Sequence, residues 1–509
     1  MEKVRLKVLP LALSFGVLAI YLSLPSKAYY YDGIGYAETI EASAQLGPSL
    51  IHPNHLIYNT MGHVLFKTVK AFGLSVRAVD VLLVTDSVLS ALGSYLFFHI
   101  VMSAVSSAYV SSVLTLLFSF SATWWEFSTD ADPYIPSVFF LLACFYVLVS
   151  ERRPHPILLA SVHAIAVLLH QLAVLFYPVV LLGLFLQTSA LPFRRRLSVL
   201  LQYSVFAFIS VSSAYYFAFV WQHGGFDFPT FSRWATSYSS EAHFSFNLWR
   251  NAFYTVQGFI RLFLGGRLSL VPINAFTITS AVIFLCLFVL LSLALVRNRS
   301  DLKLFFRAAL KCEESLRPLL WLAMVWSVTY VVFLFFWLPY NTYYRLFYFP
   351  AILLLCGVVL ARYEIINRGK RKHLALLLVA VIATYNLTFY IYPHSRVQTN
   401  EPLVSALAMK PVWSAGTVIY YQEFNTDDWT LKYFNPQTIW RKLPSGGLSA
   451  LENDLRSIYE SGGTAWVETT AIDLLMSESG SWLGTHATEG SKHEWVDRRV
   501  RIRLFQIVP

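Results

Sequence analysis

Charged residues are scarce in this chain. They make up 13% of its 509 residues, whereas hydrophobic residues make up 56%. A soluble protein of this length cannot cover its surface with so few charges. Apolar stretches of about 20 residues, the length that a helix needs to span roughly 30 Å of hydrocarbon, recur along most of the chain. The composition therefore excludes a soluble protein and predicts a polytopic integral membrane protein.

Several motifs are missing as well. The sequence has no Gly-rich phosphate loop, no Walker motif, no nucleophile elbow and no Cys-x-x-Cys pair, so ATP-driven transport has no support. Its four cysteines are Cys144, Cys286 and Cys356 in predicted spans and Cys312 in a basic loop. Because no cysteine lies in a segment predicted to face outward, we expect no disulfide.

Eleven apolar segments predict an all-α membrane domain. Their approximate bounds are 7–24, 78–103, 107–123, 134–150, 157–170, 172–189, 198–220, 272–296, 318–338, 347–361 and 374–392. The net charge of +10 comes from basic residues in short loops between these segments, which is the positive-inside pattern rather than a nucleic-acid surface. This pattern places the N-terminus in the cytoplasm and, after eleven crossings, the C-terminus outside.

The fifth and sixth segments are the weakest pair, because they are short halves of one apolar stretch around His170-Gln171. If they formed one helix, Arg297–Lys311 would face outward, which the charge rule disfavours. Residues 393–509 differ from the rest: they are polar and turn-rich, with short β-like runs around a predicted helix at Leu448–Tyr459. We therefore predict a membrane domain over 1–392, with a first outer loop at 25–77, and an extracytoplasmic α/β domain over 393–509.

The first outer loop carries acids and histidines. Asp32 follows three tyrosines that would partly desolvate it, raise its pKa and suit it to proton abstraction; the alternative is a solvated Asp at a helix end. Glu38 begins a predicted amphipathic helix that ends at Gly47. His52 and His55 would contact a substrate, pack in the loop, or join Asp32 on a divalent metal, although no third ligand is in register.

Two tight outer loops carry further charges. Residues 124–133 contain Glu126, Asp130 and Asp132, and a carboxylate meeting Asp32 at the same face would form an acid/base pair. The alternative for Asp132, which precedes Pro133, is capping of the next helix. Arg345 is the single basic residue of 339–346, and its fork of donors matches a phosphate, or else anchors in lipid headgroups.

The order of these features resembles the first outer loop of the GT-C superfamily, and within it the protein O-mannosyltransferase-like membrane family. That loop has an acid, then Leu-Gly, then His-Pro followed by an aromatic-rich stretch. This chain has Asp32, Leu46-Gly47, and His52-Pro53-Asn54-His55-Leu56-Ile57-Tyr58. A second likeness is Asp132-Pro133-Tyr134 after two tryptophans, where the family has Glu-Val-Tyr, and a third is the His170-Gln171 break. Asn54-His55 stands where the family has Pro-Gly.

The resemblance implies a transferase that moves a sugar, such as a mannose-type hexose, from a polyprenyl phosphate to an acceptor hydroxyl with inversion. Asp32 would be the general base, Asp132 would orient a substrate, and Arg345 would offset the charge of the leaving phosphate. The remaining substrate contacts that it implies are Glu38, His52, His55, Tyr134 and His170. The acceptor would be a protein, a glycan or a lipid, no certain cofactor is implied, and no nucleic acid is expected.

Two other functions remain open at this point. A lipid-linked sugar flippase should show repeated halves around polar residues at the midplane, whereas here the polar residues gather at one face. An assembly protein should have a tail that works without its membrane part. We expect a bacterial inner membrane with the site and the C-terminus outside, or an ER membrane in a eukaryote.

Overall fold

The computed structural model describes residues 2–150, 154–237, 244–297, 317–366, 372–496 and 501–509. The chain divides into two compact units, which are described separately here. The helical unit comprises Met1–Ser26 and Thr39–Pro393, and the C-terminal unit comprises Lys27–Glu38 and His394–Pro509. The C-terminal unit thus includes part of the first outer loop, Lys27–Glu38, as well as the tail, His394–Pro509.

Sixteen α-helices lie among the described residues up to residue 386. They are Glu2–Ser23, Tyr31–Ala42, Tyr58–Ala71, Ala78–Val105, Ala108–Phe120, Ala122–Ser128, Tyr134–Ser150, Pro156–Leu169, Tyr177–Gln187, Phe193–His223, Phe228–Ala235, Leu248–Phe263, Ala275–Arg297, Arg317–Trp337, Phe349–Ile366 and Lys372–Asn386. A π-helical turn, Leu387–Ile391, follows the last of them.

Five described helices are long and apolar enough to cross a membrane. They are Ala78–Val105, Phe193–His223, Ala275–Arg297, Arg317–Trp337 and His373–His394. Six shorter apolar helices of 10–17 residues lie at the other six predicted positions, Val8–Ser23, Ala108–Phe120, Tyr134–Ser150, Pro156–Leu169, Gln171–Gln187 and Phe349–Ala361. The chain is an integral membrane protein built from helices, and the count of eleven crossings stays a prediction.

Small polar residues let the central helices approach closely. In the most apolar 18-residue stretch of Ala78–Val105, 50% of the residues are buried, so this helix is central. In that of Phe193–His223 only 6% are buried, so this helix is peripheral. Hydroxyls bond across the central contacts: Ser90 Oγ lies 2.6 Å from Ser128 Oγ, and Ser94 Oγ lies 2.8 Å from Ser119 Oγ. Small hydroxyl residues at helix contacts are typical of membrane bundles.

The predicted break near His170 is present. The helix Pro156–Leu169 ends there, His170 has an extended backbone (φ −158°, ψ 123°), and a 3₁₀ helix follows at Gln171–Phe176. Further 3₁₀ turns lie at Pro48–Leu50, Pro53–His55 and Tyr343–Phe347. These irregular segments carry most of the sequence-predicted site residues of the helical unit.

The tail of the C-terminal unit has helices on both faces of a small mixed sheet. The strands are β1 Val418–Tyr421, β2 Ile439–Lys442, β3 Ala465–Val467, β4 Ala487–Val496 and β5 Arg501–Ile507. Their order is β2-β1-β3-β5-β4, with β1 parallel to β2 and β3, and β5 antiparallel to β3 and β4. The helices are Glu401–Met409, Thr426–Phe434, Gly447–Glu460 and Thr469–His486. Successive side chains of a strand point to opposite faces of the sheet. Val418 and Tyr420 of β1 therefore pack into the hydrophobic core on one face, and Ile419 packs into the core on the other face.

Candidate active site

Three histidines and one tyrosine of the helical unit form a row of stacked and edge-on rings. The ring centroids of His52 and His55 are 5.3 Å apart, those of His55 and His170 are 4.7 Å apart, and those of His170 and Tyr134 are 5.2 Å apart. His52 is half-buried, whereas the other three side chains are buried. The fold thus brings together four of the predicted substrate contacts, which come from three separate segments of the chain.

The two ring nitrogens of His55 have partners within the chain. Nδ1 lies 3.3 Å from the Leu169 carbonyl, which can only accept, so Nδ1 carries the proton. Nε2 then accepts from the Asn54 amide at 3.2 Å. Burial lowers the pKa of His55 well below its usual range, and the nearby His170 and His52 lower it further; burial also lowers the pKa of His52. His55 is therefore a neutral ring that holds the loop to the helix end.

His170 has the opposite arrangement. Its Nδ1 accepts from the backbone N–H of Leu172 at 3.1 Å, which leaves the proton on Nε2. That Nε2 has no hydrogen-bond partner among the described residues, although the side chain is only 2% exposed. A buried donor without an acceptor costs free energy. His170 can therefore donate to an anionic or hydroxylated ligand.

Hydrogen bonds to one carbonyl hold the histidine loop in place. The Pro53 carbonyl accepts from the Tyr215 hydroxyl at 2.7 Å and from the Gln171 amide at 3.1 Å. Gln171 also donates to the Ala235 carbonyl at 2.9 Å. The break after Leu169 thus has two functions. It supplies His170 to the ring row, and it supplies Gln171, which holds the loop that carries His52 and His55.

Asp132 lies beside an acid that the sequence reasoning missed. Both Asp132 and Asp86 are fully buried, and the backbone N–H of Asp132 donates to Asp86 Oδ2 at 2.9 Å. Asp86 lies in the predicted second span and also interacts with the Tyr58 hydroxyl. An ionisable residue inside an apolar span is a functional-site signal by default, and this signal was sufficient to find Asp86.

Two more acids belong to the same loop. Asp130 accepts from Ser26 Oγ at 3.3 Å and from the Ala131 N–H at 2.9 Å. Burial raises the pKa of Glu126 to about 7; the nearby Asp130 adds to the rise, whereas Tyr390 and Arg267 oppose it. Glu126 is therefore partly protonated near neutral pH.

The Arg345 side chain is buried rather than exposed at the surface. Its side chain is 1% exposed, its guanidinium donates to the Tyr348 hydroxyl at 2.8 Å and to the Pro339 carbonyl at 2.6 Å, and its Cζ lies 5.3 Å from the centre of the Phe259 ring. Nε has no acceptor and the guanidinium has no carboxylate partner among the described residues. A buried charge without a counter-charge is costly, so an anionic ligand at this edge would be stabilised.

Asp32 and Glu38 lie in the C-terminal unit. Asp32 is in the first turn of the helix Tyr31–Ala42, and burial raises its pKa to about 6. Glu38 lies further along the same helix and forms an ion pair with Lys432 at 2.7 Å. The predicted amphipathic helix thus begins earlier than the sequence suggested, and it contains Asp32 rather than following it. The meeting of Asp32 with Asp132 stays a prediction.

The histidines and acids of the described residues are not grouped as a metal site would require. Within the part of the chain that the structure describes, no three His, Cys, Asp or Glu side chains are grouped so that they could hold a metal ion. The rings of His52 and His55 instead stack on each other, with their planes inclined at 14°.

The fold of the whole chain is similar to that of two solved structures. One is ArnT from Cupriavidus metallidurans in the apo state, with a TM-score of 0.61 and 14% identity over 99% of this chain and 98% of that one. The other is the same protein bound to undecaprenyl phosphate, with a TM-score of 0.59 and 13% identity over 98% and 97%. No protein-family model matches the chain, and no curated protein matches its sequence. At this level of identity the likeness shows a shared fold.

Proposed function

The chain has the fold of the GT-C superfamily, and from this premise we propose that it is a membrane glycosyltransferase that uses a polyprenyl-phosphate sugar as its donor. The observation that supports this most directly is Asp32, an acid with a pKa raised to about 6, in the first turn of the helix that follows the first apolar helix. A base whose pKa lies just below neutral is ionised at pH 7 and still able to take up a proton.

The reaction requires one proton transfer and one displacement. The Asp32 carboxylate takes the proton of the acceptor hydroxyl, and the acceptor oxygen forms a bond to the anomeric carbon. The bond from that carbon to the phosphate oxygen breaks, and the polyprenyl phosphate leaves with the electron pair. Attack opposite the leaving group inverts the configuration at the anomeric carbon.

The leaving group gains charge, and the helical unit has two groups suited to it. Arg345 offers a buried guanidinium with an unpaired Nε, and His170 offers a neutral Nε2–H donor. Preorganised donors in a poorly solvated site stabilise developing charge strongly, because they need no reorganisation during the reaction. Asp132 orients a substrate, with its own backbone fixed by Asp86. His52 and Tyr134 contact the sugar or the phosphate at the ends of the ring row, and Glu38 contacts the acceptor.

The finer assignments follow from the resemblance in sequence. We propose a mannose-type hexose as the sugar, and a protein, glycan or lipid hydroxyl as the acceptor. We also propose a bacterial inner membrane, with the site and the C-terminal unit on the extracytoplasmic side.

The test uses the purified full-length chain and a panel of undecaprenyl-phosphate sugars that carry different hexoses and pentoses. We expect one donor to be hydrolysed slowly, or to be consumed when acceptor is added. Asp32→Asn should reduce turnover by about 10²-fold or more, since a positioned general base contributes about 10²–10⁴-fold.

The matched control is Asp80→Asn, because Asp80 also lies in the first turn of a helix, Ala78–Val105. This variant should keep wild-type turnover. Full activity in Asp32→Asn would remove the assignment of the base, and inertness of the wild-type chain toward every donor would contradict the proposed function.

A further inference from the structure

The segment that carries Asp32 packs on the tail rather than standing alone. Lys27–Glu38 clusters with His394–Pro509 into one compact unit, although more than 350 residues separate them along the chain. Contacts within this unit reach the segment from Asn400, Trp429 and Lys432. The tail therefore has a structural relation to the proposed base.

Asn400 holds the start of the segment. Its amide nitrogen donates to the Lys27 carbonyl at 2.7 Å and to the Ala28 carbonyl at 2.9 Å. Its amide oxygen accepts from the Leu403 N–H at 3.2 Å and so caps the helix Glu401–Met409. One side chain thus ties the backbone just before Asp32 to a helix end in the tail. The Lys27 N–H adds a bond to the His394 carbonyl at 2.7 Å.

The backbone at Tyr29, three residues before Asp32, is strained. Tyr29 has a φ of +41°, a left-handed conformation that is unfavourable for a residue other than glycine. Such a conformation persists only where the surroundings enforce it. Here Asn400 holds residues 27 and 28 by hydrogen bonds. The ring of Tyr29 also packs against that of Phe434, with the two ring centres 5.7 Å apart.

A glycine lets the tail approach the helix of Asp32 closely. A Cβ added at Gly35 would lie 2.8 Å from the Trp429 ring, which is closer than real Cβ contacts. Gly35 is three residues after Asp32, and such pairs share a face of a helix. Tyr31, beside Asp32, also packs edge-on against Trp429 at 6.1 Å. Trp429 therefore lies against the turn that presents Asp32.

We propose that the tail is a positioning device for the base: Asn400 and Trp429 fix the helix turn that presents the Asp32 carboxylate. The inference rests on the proposed function, and it gives the C-terminal unit a role in the transfer step itself rather than in binding a partner. Asn400 and Trp429 are positioning residues, since they act through Asp32 and not on the substrate. The Glu38–Lys432 ion pair is partly exposed and contributes little to this, because solvent screens such pairs.

The sharpest variant is Asn400→Asp. Aspartate has the same shape and keeps the acceptor that caps Leu403, but it loses both donors to residues 27 and 28. Gly35→Ala forces Trp429 away from the helix, and its matched control is Gly480→Ala, a helical glycine of the same unit with open space around it. For Trp429→Ala the control is Trp495→Ala, a half-buried tryptophan on β4 that stacks on His493. Trp429→Phe should retain most of the activity, because it keeps an aromatic ring on Gly35.

Two readouts separate positioning from plain destabilisation. With the donor found in the panel, Asn400→Asp and Gly35→Ala should lower kcat roughly 10- to 100-fold, since a displacement of about 1 Å can cost 10²-fold, while KM changes little. In Trp429→Ala, the acidic limb of the pH–activity profile should also move below its wild-type midpoint near 6, because Asp32 becomes better solvated.

The second readout needs no turnover. In a chain with all four native cysteines replaced, the alkylation rate of Asp32→Cys by a maleimide reports how firmly the segment is held. Adding Asn400→Asp should raise this rate several-fold, and adding Gly480→Ala should leave it unchanged. Unchanged alkylation and unchanged kcat in Asn400→Asp would overturn the inference even if Asp32→Asn is inactive. Raised alkylation together with an active Asp32→Asn would show that the tail holds the segment but would remove Asp32 as the base, and so overturn the inference as well.

Discussion

Asp32 couples activity and stability to pH in opposite directions. Its pKa in the folded protein is about 6, above the value of 3.8 for a solvated aspartate, so ionisation is less favourable in the folded state than in the unfolded one. The charged carboxylate therefore costs stability progressively as the pH rises from about 4 through 6. Catalysis needs that same charged form, so activity should rise through about pH 6.

This coupling predicts the thermal stability of Asp32→Asn. The Tm of the variant should exceed that of wild type by more at pH 7.5 than at pH 4.5, while its transfer activity is lost at pH 7.5. Thermal unfolding of the purified proteins in detergent at the two pH values measures the difference. A Tm below wild type at pH 7.5 would mean that the carboxylate stabilises the fold, and this would contradict its role as a desolvated base.

Gly258 offers a second test at the scale of one residue. A Cβ added at this position would overlap the Arg345 guanidinium, so Gly258→Ala must displace that side chain. We expect undecaprenyl phosphate to raise the Tm of the wild-type chain and to raise that of Gly258→Ala much less. Gly16→Ala is the control, because Gly16 is also helical but has open space around it. An equal rise in both variants would exclude Arg345 as the phosphate ligand.

Asn386 joins three elements and defines a prediction at that scale. It is fully buried at the end of the helix Lys372–Asn386, and its amide donates to the carbonyls of Phe120 and Phe263, each at 2.8 Å. These are the last residues of two other helices, whose terminal carbonyls lack partners within their own helix. The amide oxygen also accepts from the Gly265 N–H at 3.1 Å.

Asn386→Ala leaves those three partly buried groups without the Asn386 amide. At about 1–3 kcal/mol for each buried unsatisfied group, we expect a loss of roughly 2–4 kcal/mol after partial relaxation. Thermal unfolding in detergent measures it, with Asn274→Ala as a control, because Asn274 is only partly buried and bonds mainly within its own turn. A loss below about 1 kcal/mol would show that water replaces the amide.

The positions of the helices were more predictable from the sequence than the contacts between distant segments. Each apolar run in the sequence coincides with an apolar helix, and the helix Gly447–Glu460 encloses the predicted Leu448–Tyr459, because hydrophobic runs and glycine boundaries are local signals. The ring row depends on packing between distant segments, which no local pattern encodes. The same holds for the membership of Lys27–Glu38 in the C-terminal unit, since its partners Asn400 and Trp429 have no marker in the sequence.

The break at His170 has a consequence for the whole molecule. Pro156–Leu169 and Gln171–Gln187 are separate helices, as the prediction of eleven crossings requires. If both cross the membrane, the basic loop at Arg194–Arg196 lies in the cytoplasm and the C-terminal unit lies outside. If the pair crosses only once, every later segment changes side.

A labelling experiment decides between these topologies. In a chain without native cysteines, expressed in a bacterial host, we expect Gly480→Cys to react with a membrane-impermeant maleimide in intact cells, because Gly480 is exposed in the C-terminal unit. Arg195→Cys, also exposed, should react only after lysis. If the pair crosses only once, Arg195→Cys should instead react in intact cells and Gly480→Cys only after lysis, because five crossings then precede Arg195 and ten precede residue 480. That result would leave the positive loop on the outer face, against the charge rule, and would remove the basis for assigning the polar loops to the extracytoplasmic side.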